Sequence, residues 1–473
     1  MHKNRLMLDD DLGNFLGNLG DDIPRTVADA VRDCSPDVTT YLLCSGSGAC
    51  GYPSKVGFVS PDAAAFHERG LDPFGLLLRG LKAAGKETFI TFRMNDVHNP
   101  TEDWNMPRIR REHPEYVVGL DEIEAGKPDW MSYCLDYGRA EVRRHILDII
   151  AEQVEMYGDA IDGFQLDWMR FPRHLSGTPE EVWEKREIIT EFTREVRAIL
   201  SGGERKILLG VRVPTTPAAC RRLGFDLAAW GREGLVDIMV TCPFLTSEWL
   251  LPLGETRALL DNPSIAVVGG FDLGFGRQPH FPESLRGIAT SIYDRGSDGI
   301  YMFNFPCWSE YLAARPYHWL AGLGDPRTAA AKPLLLAVEH SRHKIAHIDQ
   351  PGQLPAQLPA NGTLDLTIYV PAAALPAWRA LLLVRSYGDV ALSVNGRAHE
   401  SLRYANSDLG VCRCNLFPEI GLPHWKEDER IQPDQCRIFR LADESLLPGV
   451  NRLRLTNLTD RELEVERINL GLW

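Results

Sequence analysis

The sequence lacks several features that would assign it to a class at once. No apolar run approaches the roughly 18 residues that a membrane-spanning helix needs. Lysine and arginine form no cluster, and the formal net charge is −14. Phosphate-bearing partners need a concentrated positive field, so neither nucleic acid nor an anionic membrane is an expected partner. After Met1-His2-Lys3-Asn4-Arg5 only three apolar residues precede Asp9-Asp10-Asp11. A secretory signal needs a longer apolar stretch. A cytoplasmic location is therefore expected, unless a leader was removed or missed at the start codon. No internal repeat, Gly-x-Ser-x-Gly elbow, His-rich metal set or glycine-rich phosphate loop is present.

The ten cysteines, at positions 34, 44, 50, 134, 220, 242, 307, 412, 414 and 436, follow no framework spacing. In a chain this long they read as reduced, small apolar core residues. Cys412-Arg413-Cys414 with Cys436 is the one local group, and a fourth ligand at a recognisable spacing is missing. No metal and no cofactor is expected. Gly46-x-Gly48-x-x-Gly51 matches the dinucleotide-binding pattern. The residues that should open its helix, Tyr52-Pro53-Ser54-Lys55-Val56-Gly57, carry a proline and another glycine. Without a helix N-terminus to hold a pyrophosphate, the segment reads as a loop instead.

What is present is a soluble-protein composition, 44% hydrophobic and 25% charged, over 473 residues, enough for two or three domains. To about residue 322, short apolar runs alternate with segments at helical spacing. The candidate strands are Arg5–Leu8, Val38–Cys44, Thr88–Phe92, Gly163–Asp167, Ile207–Val213, Ile238–Thr241, Ile265–Gly269 and Gly299–Phe303. The candidate helices are Ile23–Arg32, Pro73–Ala84, Arg139–Tyr157, Pro179–Leu200 and Pro282–Asp294. Such alternation predicts a parallel sheet covered by helices, and eight strands in this length suit a (β/α)8 TIM barrel. A doubly wound sheet is the main alternative. Beyond about residue 325 the pattern becomes period-two, in Leu364–Val370, Val390–Val394, Asn451–Asn457 and Leu463–Leu470, with Asn395-Gly396 and Pro448-Gly449 turns. This predicts a C-terminal antiparallel β-sandwich. The expected domains are a barrel over 1–325 and a jelly-roll-like sandwich over 335–473, divided between Leu323 and Leu334.

In a barrel, function gathers at the C-terminal ends of the strands. All but one of the strand ends carry polar or charged groups. Carboxylates, Arg and Asn donors and tryptophans at one mouth suit a sugar, because polar groups bind hydroxyls and indole faces pack on pyranose rings. Glycoside hydrolysis needs two carboxyl groups at the scissile bond. Asp167 is the leading candidate for nucleophile or charge-stabilising carboxylate, with Arg170 near enough to hold it as an anion. It can also be read as a loop cap. Asp162, before the strand, reads as structural at the barrel bottom. For the partner acid the order is Asp272, then Glu248, with Glu310, Asp10 and Asp11 also in reach. Asp10, Asp11, Arg93, Asn95, Asp96, His98, Trp168, Arg170, Arg212, Asn304 and Trp308 are the expected substrate-binding residues. Trp425 and Trp473 of the sandwich read as sugar platforms or packing residues.

Leu135-Asp136-Tyr137-Gly138-Arg139-Ala140-Glu141-Val142-Arg143, through Glu152–Tyr157, to Asp162-Gly163-Phe164-Gln165-Leu166-Asp167 resembles the bacterial glycosyl-hydrolase-like barrel families. Phe164–Asp167 is similar to the nucleophile strand of the alpha-amylase superfamily, with Gln165 where that superfamily has arginine. Asp9-Asp10-Asp11 resembles the paired aspartates of alpha-galactosidase-type barrels, where the pair binds sugar hydroxyls and the strand-four aspartate is the nucleophile. The lysine two residues before that aspartate is absent here. The resemblance implies a sugar-active protein. The expectation is a retaining glycoside hydrolase acting on an oligo- or polysaccharide. A non-catalytic carbohydrate-binding protein on the same scaffold is the alternative. A lyase is the third reading, with Arg93, Arg170 and Arg212 neutralising a uronate.

Overall fold

The apolar runs of the N-terminal part become eight strands: β1 (Arg5–Asp10), β2 (Thr40–Cys44), β3 (Glu87–Arg93), β4 (Gly163–Asp167), β5 (Leu208–Val213), β6 (Ile238–Thr241), β7 (Ala266–Phe271) and β8 (Gly299–Met302). The structure is a computed structural model that describes residues 4–11, 16, 19, 22–46, 49–98, 106–244, 246–272, 282–305, 317–340, 348, 352–402 and 436–473. The eight strands close in the order β1-β8-β7-β6-β5-β4-β3-β2, and every neighbouring pair is parallel. The closed ring excludes a doubly wound sheet.

Local chemistry starts many of the covering helices. Asp22, Ser60, Asp72, Thr178 and Thr216 each accept a hydrogen bond from a backbone N–H of the first helical turn, and each helix has proline at its first or second position. A side-chain acceptor there satisfies an orphan donor, and proline loses nothing where its N–H would be unpaired. Among the main covering helices are α1 (Ile23–Asp33), α2 (Pro73–Ala83), α3 (Ala140–Tyr157), α4 (Glu187–Ser201), α5 (Leu227–Glu233), α6 (Leu253–Leu260) and α7 (Pro282–Asp294). The expected helix Pro179–Leu200 is broken in two, Pro179–Glu184 and α4. No helix begins at Tyr52. Ala49–Cys50 instead pairs with Phe58–Val59 as a short two-stranded ladder, in keeping with a loop.

The barrel interior is filled in layers by the inward-facing residues of alternate positions. At the bottom Arg5 makes two hydrogen bonds to Glu87, at 2.7 and 2.8 Å, and Thr40 donates to the same carboxylate at 2.6 Å. Asp162, also at this end, pairs with Lys82 and accepts from the Thr88 N–H at 3.0 Å, a structural role. Above lies an apolar layer that includes Met7, Leu42, Phe89, Ile238, Val240 and Val268. Gly163 is required here, because a Cβ at that point would lie 2.1 Å from the Phe89 ring.

Three strands run further than their apolar stretches suggest. β1 continues through Asp9 and Asp10, β3 through Arg93 and β7 through Phe271. The neighbouring strands supply ladder partners: Asp9 is in register with Leu42, Asp10 with Leu43, and Arg93 with Asp167. A ladder partner on one flank is enough to carry these charged residues in the strand.

The C-terminal part forms β9 (Leu334–Ala337), β10 (Ala356–Leu358), β11 (Thr363–Val370), β12 (Ala380–Arg385), β13 (Val390–Val394), β14 (Arg397–His399), β15 (Ser401–Leu402), β16 (Cys436–Leu441), β17 (Gly449–Asn457), β18 (Leu463–Val465) and β19 (Arg467–Leu472). Two antiparallel sheets, β9-β19-β12-β16-β15 and β11-β17-β13-β14, make the β-sandwich, with β10-β18 as a small third sheet. Leu382, Val384, Ile468 and Leu470 of one sheet share a core with Leu366, Ile368, Leu453 and Leu455 of the other. The sandwich leans on α7. Gly287 lets that helix approach β9, since a Cβ there would meet the Leu335 carbonyl oxygen at 2.1 Å. Tyr369 hydrogen-bonds Asp294 across the same junction.

Candidate active site

Strand alternation decides which rim residues reach the barrel interior. Met7, Leu42 and Phe89 point inward, so residues two or four positions further on in their strands do too. That rule turns Asp9, Cys44 and Arg93 inward. The register then brings in Asp167 beside Arg93, and Arg212 beside Asp167.

Asp167 and Arg212 form the centre of the upper layer. One guanidinium nitrogen of Arg212 lies 3.1 Å from each carboxylate oxygen of Asp167. The backbone N–H groups of Met169 and Arg170 donate to Oδ1 at 3.0 and 3.3 Å. Oδ1 therefore has three donors and Oδ2 one. Arg212 also stacks on Phe303, 3.7 Å from the ring centroid, a cation–π contact in a desolvated place. Both partners are buried, Arg212 fully and Asp167 to within 1%. The side chain that pairs with Asp167 is thus Arg212; Arg170, expected in that role, contributes its backbone N–H.

Asp9, at the same level, is also buried. Burial first, and the Asp167 charge second, push its carboxyl up to about 7. Arg212, Arg93 and a hydrogen bond from Tyr301 pull the other way without restoring the ordinary value. The Tyr301 hydroxyl donates to Asp9 Oδ2 at 2.8 Å. Below it, the Gln165 amide nitrogen donates to Tyr301 at 3.1 Å and to Thr91 at 2.9 Å. One interior surface thus carries a carboxylate in an ion pair and a carboxyl that holds its proton to near neutrality.

A second tier sits over this pair. Arg93 donates to Asp96 at 3.0 Å and to Asn304 at 3.2 Å, and lies 3.7 Å from Asp11. His98 bridges Asp96 and the Arg170 guanidinium. Burial would raise the Asp96 carboxyl, but the His98 hydrogen bond and charge, with Arg93 and Arg170, hold it well below the usual range. Arg170 lies over Phe171, Phe244 and Phe303. The charge of Asp272, which follows β7, reaches both Arg170 and Arg212. Asp11, Arg93, Asp96, His98, Arg170, Arg212, Asn304 and Asp272 are therefore gathered around Asp167.

Four expected site residues lie elsewhere. Asp10 alternates to the outer face of β1 and accepts from the Tyr41 hydroxyl at 2.5 Å. Asn95 spends its side chain away from the mouth, accepting from Leu135 N–H at 2.8 Å, donating to the Arg173 carbonyl at 3.1 Å and lying 3.1 Å from His174 Nδ1. Trp168 is fully buried outside the barrel among Tyr137, His174, Phe192 and Phe225, so its ring is no sugar platform. Glu248 is pushed up to about 8 by burial and by the Glu339 carboxylate of the sandwich, while Thr215 hydrogen-bonds it. Its surroundings belong to the junction between barrel and sandwich. Trp308, Glu310, Trp425, Cys412 and Cys414 lie outside the described residues.

Asp9, Tyr301 and Gln165 were missed in the sequence. The apolar pattern carries no signal for Asp9, since Leu6, Met7 and Leu8 are all apolar and buried; only the closed barrel shows that Asp9 shares the inward parity of Met7 while Asp10 shares that of Leu6 and Leu8. Tyr301 and Gln165 sit inside apolar strands, and only the closed barrel brings them together.

Among the described residues, no three His, Cys, Asp or Glu side chains gather in a way that could hold a metal ion. Nor is any described helix long and apolar enough to cross a membrane. The seven described cysteines are buried.

No protein-family model matches the chain, and no curated protein matches it. Solved structures do, and glycoside hydrolases are among them. The PgaB (BpsB) glycoside hydrolase domain from Bordetella bronchiseptica is 12% identical, over 69% of this chain and 98% of that one, with a TM-score of 0.45. A bacterial fucosidase with a bound inhibitor is 10% identical, over 92% of this chain and 80% of that one, at a TM-score of 0.35. Tryptophan synthase from M. tuberculosis is 12% identical, over 70% and 92%, at 0.32. At such low identities and TM-scores they assign neither a family nor an activity to this chain.

Proposed function

We propose that the chain is a glycoside hydrolase acting on an oligo- or polysaccharide, with Asp167 and Asp9 as its two working carboxyl groups. The observation that carries this reading is their placement. Both face the barrel interior at the C-terminal ends of β4 and β1, one in an ion pair with Arg212 and one protonated to near neutrality. In this mechanism Asp9 gives its proton to the glycosidic oxygen as the bond breaks. Asp167 attacks the anomeric carbon through Oδ2, its less encumbered oxygen. Water then cleaves the glycosyl–enzyme bond, with Asp9 taking the proton back. Asp272, whose charge reaches Arg212, is the further carboxyl for an inverting alternative. A carboxyl separation of about 5–5.5 Å in a sugar complex favours retention, and about 6.5–9.5 Å inversion.

A non-catalytic sugar-binding role is the second reading. It is favoured by the ion pair that already commits Asp167 to Arg212, which a nucleophile has to loosen. The lyase reading loses support, because Arg212 is committed to Asp167 and Arg93 to Asp96.

The test is hydrolysis of an aryl-glycoside panel by wild type, Asp9→Asn and Asp167→Asn, each checked for a native unfolding transition. Loss of about 100-fold or more in kcat for both variants is expected, the scale of a lost acid or nucleophile. Wild-type rates in either variant contradict its assignment. Calorimetric binding of a sugar with no turnover by wild type favours the second reading.

A further inference from the structure

The interior hydrogen bonds have a direction. The Gln165 amide nitrogen carries two N–H groups and points one at Thr91 Oγ1 and the other at the Tyr301 hydroxyl. An amide N–H can only donate, so the Tyr301 oxygen accepts from it. The phenolic hydrogen is then turned toward Asp9 Oδ2, 2.8 Å away. All of these side chains are buried, and Gln165 and Tyr301 are fully so. A chain with fixed donors at one end leaves Asp9 one place for its own proton, which is Oδ1.

We propose that Tyr301, oriented by Gln165, is a positioning residue that fixes the Asp9 proton on Oδ1, the oxygen facing away from the tyrosine. The inference rests on the reading of Asp9 as the acid of a glycoside hydrolase, and adds to it how that acid is aimed. It also gives Gln165 a task of its own. An arginine there, as in the alpha-amylase-like strand, would put a second cation beneath Arg212 and favour the anionic form of Asp9.

Besides Tyr301, the groups whose charge bears on Asp9 are Asp167, Arg212 and Arg93, and Asp9 in turn raises Cys44. None of these is altered by substitutions at 301 or 165. The experiment is carbon-13 NMR titration of the aspartate carboxyls in the full chain, with the Asp9 signal identified by its loss in Asp9→Asn. Tyr301→Phe removes a donor to the carboxylate, so the Asp9 titration is expected to move up by about one pH unit. Gln165→Leu frees the hydroxyl to accept from Asp9 and is expected to move it the same way by less. Fluorotyrosine at position 301, a stronger donor, is expected to move it down, and this variant keeps the test open if Tyr301→Phe does not fold. An Asp9 titration unmoved by Tyr301→Phe or by fluorotyrosine overturns the proposal. A downward shift in Tyr301→Phe overturns it too, since it means that the Gln165 amide faces the other way, takes the Tyr301 proton itself and leaves the phenolic oxygen to accept from Asp9.

The same variants separate this inference from the proposed function. If the protein hydrolyses glycosides through Asp9, the alkaline limb of kcat/KM moves by the shift that the NMR titration shows. If wild type hydrolyses nothing, the hydrolase reading fails while the titration still decides the role of Tyr301.

Discussion

Asp167 and Arg212 are buried together, and neither is stable there alone. Removing one partner of such a pair leaves the other charge desolvated, which costs about 3–5 kcal/mol. Asp167→Ala is therefore expected to lower unfolding free energy by that amount in urea. The Asp167→Ala, Arg212→Met double variant is expected to recover part of it, with a coupling of about 1 kcal/mol or more. Additive losses in that cycle contradict the pairing. The same reasoning makes Asp167→Asn the better probe of activity, since the amide oxygen can still accept from Met169, Arg170 and Arg212. A rate lost in Asp167→Ala mixes chemistry with unfolding.

Within one element, β1 shows how two adjacent aspartates acquire different work. Asp9 faces the interior and Tyr301, while Asp10 faces the helices and Tyr41. Tyr41→Phe is expected to reduce stability by about 1.5–3 kcal/mol, the usual worth of a hydrogen bond to a charged group, and to leave glycoside hydrolysis unchanged. Loss of activity with stability intact would place Asp10 in the site after all. The barrel itself was legible in the sequence, because strand and helix periods alternate cleanly and the polar groups fall at one end of the strands. The facing of individual residues was less legible. Ending β1 at Leu8 leaves Asp9, Asp10 and Asp11 as equivalent loop carboxylates; continuing it to Asp10 separates them by parity. Parity also turns Trp168 away from the mouth although it follows Asp167 directly. Asn95 binds backbone 40 and 78 residues away in the chain, which no local pattern encodes.

Across the whole molecule, barrel and sandwich share a buried pair of carboxyls, Glu248 and Glu339. Burial raises both, and the Glu339 charge adds to the rise at Glu248. Folded Glu248 thus keeps a proton up to about 8, whereas the unfolded chain releases it near the ordinary 4.5. Its contribution to stability is full below the ordinary value and is lost as pH rises through the folded one. Wild type is expected to lose on the order of 4 kcal/mol more than Glu248→Gln between about pH 5 and pH 9. Parallel pH profiles for the two proteins contradict that junction. The central claim concerns the barrel mouth, and it is tested most directly by trapping the intermediate. Wild type is incubated with a panel of activated 2-deoxy-2-fluoroglycosides and its peptides are mapped by mass spectrometry. The expected result is one glycosyl adduct on Asp167, absent in Asp167→Asn; an adduct on Asp9 or Asp272 instead would contradict the assignment.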